Sequence, residues 1–373
     1  MTRVVIAGAG FGGIAAAVEL RHALGPGAVT LIDRRADFVM GLRKSWAALG
    51  IDGLEGGLRR LADMDGVTFV QAEITAIEPA ARTVEVDGQR FSGDALVLAL
   101  GAQQSPQLVP GLADHGINIW SRDEVPRARE ALARMRRGRL LVSIFGLPYS
   151  CPPAPFELAL LAHERLAGAV EITVTSPAPI ALPAVGPEQS AKLERLLAER
   201  GIAFHAARKA VSVHSRRVEF EDGSGEDFDV LLGVPPHRCP AVLVEAGLAP
   251  ADGWLMPDPR TLELDAAANV YAVGDCTAIP LANGLALPKA GVFAHAQGDV
   301  VAARIAARLR GDEPTARFDG VGACYLETGR GEAARAEGEF LAEPPRVVLS
   351  DPEPSTLDDK LAFERSRLTA WFG

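Results

Sequence analysis

The feature that most constrains this chain is a glycine pattern close to its beginning. Residues 4–7 are a short apolar run, and residues 8–13 follow directly with the sequence GAGFGG. Residues 14–24 are rich in Ala and Leu, and a Gly-Pro-Gly segment ends them. This order predicts a strand buried on both faces, a tight turn and a helix packed against the strand.

Three glycines of the turn have defined roles in a nucleotide-binding unit. Gly8 permits the tight turn, Gly10 lets the backbone approach a pyrophosphate, and Gly13 lets the helix pack closely on the strand. The free N–H groups at the helix start attract an anion. A second predicted strand ends on Asp33, 20 residues after Gly13, where an acid accepts hydrogen bonds from an adenosine ribose. Asp33 and the adjoining Arg34 are therefore candidate contacts of a bound dinucleotide, either FAD or NAD.

The plan of this first unit recurs at a spacing of about 135 residues, with apolar strands predicted over 139–145, 170–175 and 230–232. We therefore expect an α/β fold with two Rossmann-like dinucleotide-binding domains. The predicted boundaries are 1–105 and 240–310 for a discontinuous first domain, 106–239 for the second, and 311–373 for a small C-terminal region. Between the strands of the first domain, a helix is predicted over 57–64.

Composition narrows the class of function. The formal net charge is −10 and no long basic run occurs, which argues against nucleic acid as a partner. The four cysteines are widely spread and none belongs to a C-x-x-C pair, so no metal site is expected. No apolar run reaches 18 residues, so no transmembrane helix is predicted. The expected location is the cytoplasm.

A third segment selects the nucleotide. Residues 269–275 read as an apolar strand that ends on Gly274 and Asp275. A carboxylate there can bond a ribityl hydroxyl, and the glycine lets a flavin chain approach. A long helix is predicted to begin near Lys289, where its N-terminus would stabilise negative charge on a reduced flavin. The alternative is a turn with an N-capping aspartate, but the glycine unit upstream favours FAD.

Over residues 1–310 the chain resembles the two-dinucleotide-fold flavoproteins of the pyridine nucleotide–disulfide oxidoreductase superfamily. The resemblance implies FAD in the first fold, with the backbone near Ile74 contacting adenine and Asp275 contacting the ribityl–pyrophosphate region. The residues that carry the resemblance are Gly8, Gly10, Gly13, Asp33, Gly101, Gly274 and Asp275.

The second domain departs from the superfamily pattern. Residues 146–157 read GLPYSCPPAPFE, so the glycines of an NAD(P)H loop are absent and Cys151 stands in that loop. This segment resembles the one that bears a redox cysteine in sulfide:quinone oxidoreductases and in the flavoprotein of flavocytochrome c sulfide dehydrogenase. Residues 322–329, GACYLETG, match the position of the second cysteine, here Cys324.

This closer resemblance implies a mechanism. Cys151 and Cys324 would be a redox pair that oxidises sulfide or a small sulfur species, with Glu157 as acid or base and Lys289 near the pyrimidine edge of the flavin. Quinone or another acceptor would receive the electrons. Because no cysteine lies before Cys151, FAD is expected to be non-covalent. Each cysteine alone reads equally as a small buried apolar residue.

Two other functions stay open on the sequence alone. One is an NAD(P)H:quinone or acceptor reductase similar to type II NADH dehydrogenases. The other is a non-enzymatic flavin-binding redox sensor or interaction protein. Apolar side chains over 357–372 would serve a peripheral contact at the inner face of the membrane, a homodimer contact, or a helix packed on its own domain.

Overall fold

The computed structural model of the chain describes residues 3–166 and 168–373. Its first parallel sheet has five strands, and every neighbouring pair runs parallel. Their order across the sheet is Val270–Ala272, Ala95–Leu98, Val4–Ala7, Val29–Asp33 and Thr68–Gln71. Since Val270–Ala272 lies far downstream of the other four, two separate parts of the chain build this sheet.

The second parallel sheet repeats the arrangement with five strands. Their order is Ile117–Asn118, Val230–Val234, Gly138–Ile144, Val170–Thr175 and Ala203–His205. The chain passes between the two sheets through Gln103–Gln104 and His237–Arg238, which pair antiparallel. The predicted α/β class with two Rossmann-like sheets is confirmed, while the domain boundaries stay a prediction.

Each of the two parallel sheets is accompanied by an antiparallel meander of three strands. The first consists of Ala76–Glu78, Thr83–Val86 and Gln89–Ser92, and the second of Ala210–His214, Arg217–Phe220 and Gly225–Asp227. The helices, labelled in chain order, are α1 Phe11–Leu24, α2 Arg43–Leu49, α3 Leu112–His115, α4 Val125–Arg134, α5 Ala154–Arg165, α6 Pro187–Glu199, α7 Ala241–Glu245, α8 Gly291–Arg310 and α9 Pro354–Phe372.

The helix predicted over 57–64 is wrong. The strand Leu58–Arg60 occupies this segment and pairs antiparallel with Asp37–Val39, between two short 3-10 turns. The adjacent glycines at 56 and 57 disfavour a helix, and pairing with a strand 20 residues away is a tertiary effect that local pattern does not contain. The long helix predicted to open over residues 288–291 begins at Gly291.

Small residues bring α1 and α8 into close contact. A Cβ atom on Gly298 would lie 2.4 Å from the carbonyl oxygen of Gly12. A Cβ atom on Gly12 would lie 2.9 Å from the carbonyl oxygen of Ala294. Because backbone faces backbone here, no side chain fits between the helices. The helix after the glycine turn is thereby joined to the helix that follows Asp275.

The C-terminal region folds back over both halves of the chain. Its antiparallel sheet contains Val321–Gly329, Glu332–Glu339 and Arg346–Leu349, and α9 follows. The Trp371 ring meets the rings of Phe11 and Phe38 edge to face, each at 5.5 Å between centroids. Phe11 belongs to the glycine turn, so the end of the chain packs against its beginning.

The apolar face of α9 is thus used within the chain. Leu368 and Trp371 are each 5% exposed, as the own-domain alternative predicts. Among the described residues, no helix combines the length and apolarity that crossing a membrane requires. Membrane contact and a homodimer contact stay predictions.

We expect Trp371→Ala to lower the free energy of unfolding by about 3 kcal/mol, because the substitution removes a buried aromatic side chain from a cluster at the glycine turn. Urea unfolding followed by fluorescence or circular dichroism measures this loss. Arg365→Ala, at an exposed position of the same helix, is the control and should change little. Equal effects of the two variants would contradict the packing described for α9.

Candidate active site

The glycine turn is crowded on one side and open on the other. Gly8 has φ +104°, and a Cβ there would lie 2.3 Å from the carbonyl oxygen of Ala99. A Cβ on Gly13 would lie 1.9 Å from the carbonyl oxygen of Gly8. A Cβ on Gly10, in contrast, would meet nothing within 4 Å. The turn therefore presents bare backbone at the helix start, which is the surface a pyrophosphate needs.

Asp33 is fixed against this turn. The backbone N–H of Ala9 donates to Asp33 Oδ2 at 2.8 Å, and the backbone N–H of Arg35 donates to Oδ1 at 2.9 Å. The carboxylate is 8% exposed and lies at the end of its strand, where an adenosine ribose is bound in such units. The predicted contact at Asp33 thus has the required position.

Arg34, Ile74 and Gly101 are three further predicted cofactor contacts, and their roles stay predictions. Arg34 has an exposed side chain that pairs with Glu73 at 3.5 Å. The side chain of Ile74 is buried in an apolar cluster beneath the meander, so only its backbone can make the predicted contact. Gly101 follows the strand Ala95–Leu98 with φ +70° and open space at its Cβ position.

Asp275 and Lys289 hold the turn that follows the strand Val270–Ala272. Ser150 Oγ donates to Asp275 Oδ2 at 2.5 Å. The Lys289 ammonium donates to the backbone carbonyls of Asp275 and Thr277 at 2.7 and 2.9 Å, and it lies 3.4 Å from the ring centroid of Trp254. Burial lowers the pKa of Lys289 to about 8. Lys289 therefore acts on the backbone of this turn, and the structure shows its ammonium engaged there.

Cys151 lies in a turn whose backbone is strained and which hydrogen bonds fix in place. Its φ is +55°, a left-handed conformation that is costly for a residue with a side chain. The Cys151 N–H donates to the Lys289 carbonyl at 2.7 Å, and its carbonyl accepts from the N–H of Ala154 at 2.9 Å. The indole N–H of Trp120 donates to the Ser150 carbonyl at 2.8 Å. These bonds join the cysteine turn directly to the segment around Asp275.

Charges around Cys151 act on its thiol in opposite directions. Solvent reaches the residue, yet desolvation by the protein packed round the thiol, together with Glu157, raises its pKa to about 11. Lys44 and Lys360 lower the pKa of the same thiol. Two cations therefore favour the thiolate against the effect of burial.

Lys44 is a site residue that the sequence analysis missed. It lies on α2, which was not predicted, and its ammonium donates to the Trp120 carbonyl at 2.7 Å. Burial lowers the pKa of Lys44 to about 8, and Cys151 and Asp275 oppose that shift. Nothing in the local pattern identifies Lys44, because its position depends on contacts with distant parts of the chain.

Cys324 lies on the strand Val321–Gly329, opposite Ala336 in the antiparallel pair. Burial raises the pKa of this half-buried thiol to about 12, and Cys151 raises it as well. Both cysteines are free thiols, and their pairing stays a prediction. Cys239 and Cys276 are free and buried, as expected for structural cysteines.

Glu157 belongs to a buried ionic network. Its Oε2 accepts from the Lys360 ammonium at 2.9 Å and from the backbone N–H of Glu327 at 2.8 Å. Lys360 also donates to Glu327 Oε2 at 2.9 Å, and the Trp46 indole N–H donates to the same oxygen at 2.7 Å. Glu157 is 5% exposed and Lys360 is 2% exposed.

The protonation of this network follows from its charges. Burial raises the pKa of Glu157, and Lys360 opposes that rise. Burial alone would lower the pKa of Lys360, but Glu157 and Glu327 raise it above its ordinary value. Two carboxylates share one ammonium, so Glu157 is able to hold a proton close to Cys151.

A detectable signal for Lys360 existed in the sequence. The buried positions of α9 are Lys360, Glu364, Leu368 and Trp371, which share one helical face. A lysine and a glutamate on an otherwise apolar face indicate buried ion pairs. The second pair joins Glu364 to Arg43, with Nε–Oε1 and Nη2–Oε2 distances of 2.5 and 3.0 Å.

These residues fit an FAD. The open backbone at Gly10 and the carboxylate of Asp33 would hold the nucleotide end, and the Asp275 turn, beside Cys151, would hold the flavin end. The close contact of Gly12 with α8 joins the two ends. Within residues 3–166 and 168–373, no group of three or more His, Cys, Asp or Glu side chains could hold a metal ion.

Comparisons with known proteins agree with this arrangement. A family model described as pyridine nucleotide-disulphide oxidoreductase matches residues 2–298. The mitochondrial sulfide:quinone oxidoreductase of Mus musculus is 25% identical over 367 residues, covering 91% of this chain and 79% of that protein. A type II NADH:quinone oxidoreductase of Staphylococcus aureus is 25% identical over 345 residues, covering 85% of each chain.

Solved structures give the same fold. The X-ray structure of the sulfide:quinone oxidoreductase from Aquifex aeolicus matches with a TM-score of 0.90 at 23% identity. The match covers 100% of this chain and 92% of that chain. The C-terminal sheet and α9 are therefore part of the shared fold.

We expect Lys360→Met to lower the free energy of unfolding by about 3 kcal/mol at pH 8, because it leaves Glu157 and Glu327 buried without their cation. Without that cation the pKa of Glu157, which burial already raises, rises further. Its carboxylate then becomes protonated as the pH falls, so the deficit should shrink between pH 8 and pH 5.5. Urea unfolding at both pH values measures it.

Lys209→Met is the matched control for this variant. Lys209 pairs with Glu221 at 2.9 Å, but the two side chains are 65% and 64% exposed, and such pairs contribute little to stability. If both variants lost the same stability, or if the deficit of Lys360→Met did not depend on pH, the buried network would not have the role described.

Proposed function

This chain belongs to the pyridine nucleotide-disulphide oxidoreductase family, and we propose that within it the chain oxidises sulfide or a related small sulfur species. It is an FAD-dependent oxidoreductase. Cys151 and Cys324 are proposed as the redox pair, with FAD bound non-covalently and quinone or another acceptor receiving the electrons. The observation that carries the proposal is the strained Cys151 turn, which stands where a second nucleotide loop would lie. Cys151 also contributes to the raised pKa of the Cys324 thiol, which supports the pairing.

The sulfur chemistry begins from the disulfide of the two cysteines. The hydrosulfide ion attacks one sulfur, the S–S bond breaks, and the products are a persulfide on one cysteine and a thiolate on the other. A second sulfur nucleophile removes the outer sulfur and leaves a second thiolate. Re-forming the disulfide from the two thiolates releases two electrons. When bound, FAD supplies the two-electron acceptor for this step and passes the electrons on.

The protein supplies charge and protons for these steps. Lys44 and Lys360 lower the pKa of the Cys151 thiol, so they stabilise the thiolate that each bond-breaking step produces. The same cations attract an anionic substrate. Burial raises the pKa of Glu157, which favours proton uptake by this carboxylate, and Glu157 is proposed as the acid or base beside Cys151.

A nicotinamide nucleotide fits the second sheet poorly. The loop after the strand Gly138–Ile144 contains Pro148, Pro152 and Pro153, which cannot donate backbone hydrogen bonds. Tyr149 fills the loop with a side chain that is 5% exposed and belongs to the apolar core. These features favour sulfide over NAD(P)H as the electron donor, although the chain also has type II NADH:quinone oxidoreductases among its relatives.

Sulfide should bleach the bound flavin of the wild-type protein rapidly in anaerobic stopped-flow experiments. We expect Cys151→Ser and Cys324→Ser to slow this reduction by about 100-fold or more, because the two residues act as one unit. Cys239→Ala, at a buried cysteine outside the proposed pair, is the control and should retain the wild-type rate. Wild-type rates of flavin reduction in both serine variants would contradict the mechanism.

The same experiment separates the competing donors. Rapid bleaching by NADH, with none by sulfide, would assign the protein to the type II NADH dehydrogenase-like function. Stoichiometric FAD that neither donor reduces would indicate a redox sensor or interaction protein.

Removing the charge of Lys44 should raise the pKa of the Cys151 thiol. We expect Lys44→Met to slow alkylation of Cys151 by iodoacetamide at pH 8 by about 3- to 10-fold, since the thiolate is the reacting form. Mass spectrometry of the peptide that carries Cys151 measures the rate between pH 7 and pH 10.

Lys44→Arg keeps the positive charge and should stay close to the wild-type alkylation profile. If the methionine variant also retained that profile, Lys44 would not act on the thiol. The exposed variant Lys209→Met reports any effect of net charge alone.

A further inference from the structure

A buried histidine beside the site has a ring nitrogen without a partner. His237 lies in the short strand by which the chain returns from the second sheet, opposite Gln104 in the antiparallel pair. The residue is 5% exposed. Its Nε2 is buried, and among the described residues no hydrogen-bond partner reaches that atom. The sequence analysis assigned no role to this residue.

The other ring nitrogen defines the tautomer. Nδ1 lies 2.8 Å from the carbonyl oxygen of Pro235. A carbonyl only accepts, so Nδ1 carries the hydrogen and donates it. In the neutral ring Nε2 is then a bare acceptor. Leaving a buried acceptor unpaired costs about 1–3 kcal/mol, so Nε2 is suited to accept from a donor outside the protein chain.

The charged groups that act on His237 belong to the site already described. They come from three other elements: Asp275 after the strand Val270–Ala272, Lys289 before α8, and Lys44 on α2. On its own strand, Arg238 pairs with the exposed side chain of Asp252. Gln104, which is paired opposite His237, donates to the Trp120 carbonyl that also accepts from Lys44. His237 therefore lies beside the flavin-end residues.

These protein groups do not supply the missing donor, because none of them lies within hydrogen-bond distance of Nε2. The Lys44 ammonium donates to the Trp120 carbonyl, and the Lys289 ammonium donates to the carbonyls of Asp275 and Thr277. The carboxylate of Asp275 is an acceptor of the Ser150 hydroxyl. A bound flavin nucleotide, in contrast, carries a ring N–H and ribityl hydroxyls, which are hydrogen-bond donors.

We propose that His237 is a positioning residue for FAD, with Nε2 accepting a hydrogen bond from an N–H or O–H of the bound nucleotide. This inference rests on the FAD part of the proposed function and is independent of the cysteine chemistry. The strand His237–Arg238, which connects the two sheets, would then contact the cofactor directly.

The protonation of His237 must favour this contact. Burial lowers the pKa of the ring, and Lys289 and Lys44 lower it further, while the Pro235 carbonyl and Asp275 oppose the shift. At neutral pH Nε2 is therefore unprotonated and accepts. Acidification through the pKa of His237 replaces the acceptor with an N–H, so the affinity for FAD should fall.

The test compares FAD affinity in His237→Phe and His237→Gln, starting from holoprotein and following flavin fluorescence on release. The phenylalanine keeps an aromatic ring but has no acceptor, and about a 10-fold weaker affinity is expected at pH 7.5, the loss of one hydrogen bond. The glutamine amide can accept, and should stay within about 3-fold of wild type. His115→Phe, at an exposed histidine, is the control.

The pH profile and a spectroscopic signal complete the test. Wild-type affinity should fall on acidification with a step that is absent in His237→Gln. In wild-type protein labelled with 15N-histidine, FAD should shift the Nε2 resonance of His237 and lower its pKa, even if a variant fails to fold. The inference would be overturned if His237→Phe kept the wild-type affinity and pH profile, or if the chemical shift of Nε2 did not change on FAD binding. Sulfide is not used, so failure of the sulfur chemistry leaves this result unaffected.

Discussion

The ammonium of Lys360, buried between the carboxylates of Glu157 and Glu327, is the interaction on which the arrangement of the site depends. It joins three segments that are distant in sequence: the helix after Cys151, the strand that carries Cys324, and α9. A buried ion pair adds little net stability by itself, but it strongly disfavours any arrangement that leaves one charge alone. The network therefore specifies how these segments meet. It also brings a cation and a carboxyl close to a cysteine whose thiol is otherwise hard to ionise.

The features that could be predicted from sequence are those whose cause is local. The glycine turn requires residues without side chains at fixed spacings, and the pair Gly274-Asp275 requires a tight turn after a strand, so both are visible as patterns. The fold class follows because such units recur along the chain. The cysteine motifs were visible too, although only through resemblance, and their roles are still predictions.

Long-range effects account for what the sequence analysis missed. Lys44 reaches the site because α2 packs where no local pattern indicates it, and the segment 57–64 pairs as a strand despite its predicted helical character. The ammonium of Lys289 contacts two backbone carbonyls and an indole ring within the protein, which no local pattern indicates, and its place near a flavin edge stays a prediction. His237 is only recognisable once its buried neighbours are known. In each case the deciding contact joins residues that are far apart in sequence.

The backbone contact between Gly12 on α1 and Gly298 on α8 has a consequence for the order of synthesis. The glycine turn is among the first parts of the chain to leave the ribosome. At that stage the first sheet lacks its strand Val270–Ala272, and α1 lacks its packing partner α8. The second parallel sheet, whose strands all lie between Ile117 and Val234, is complete earlier. The middle of the chain can therefore fold during translation while the beginning waits for a partner encoded near the end. A truncated product would consequently expose the apolar face of α1 to chaperones and proteases rather than present a half-formed cofactor site.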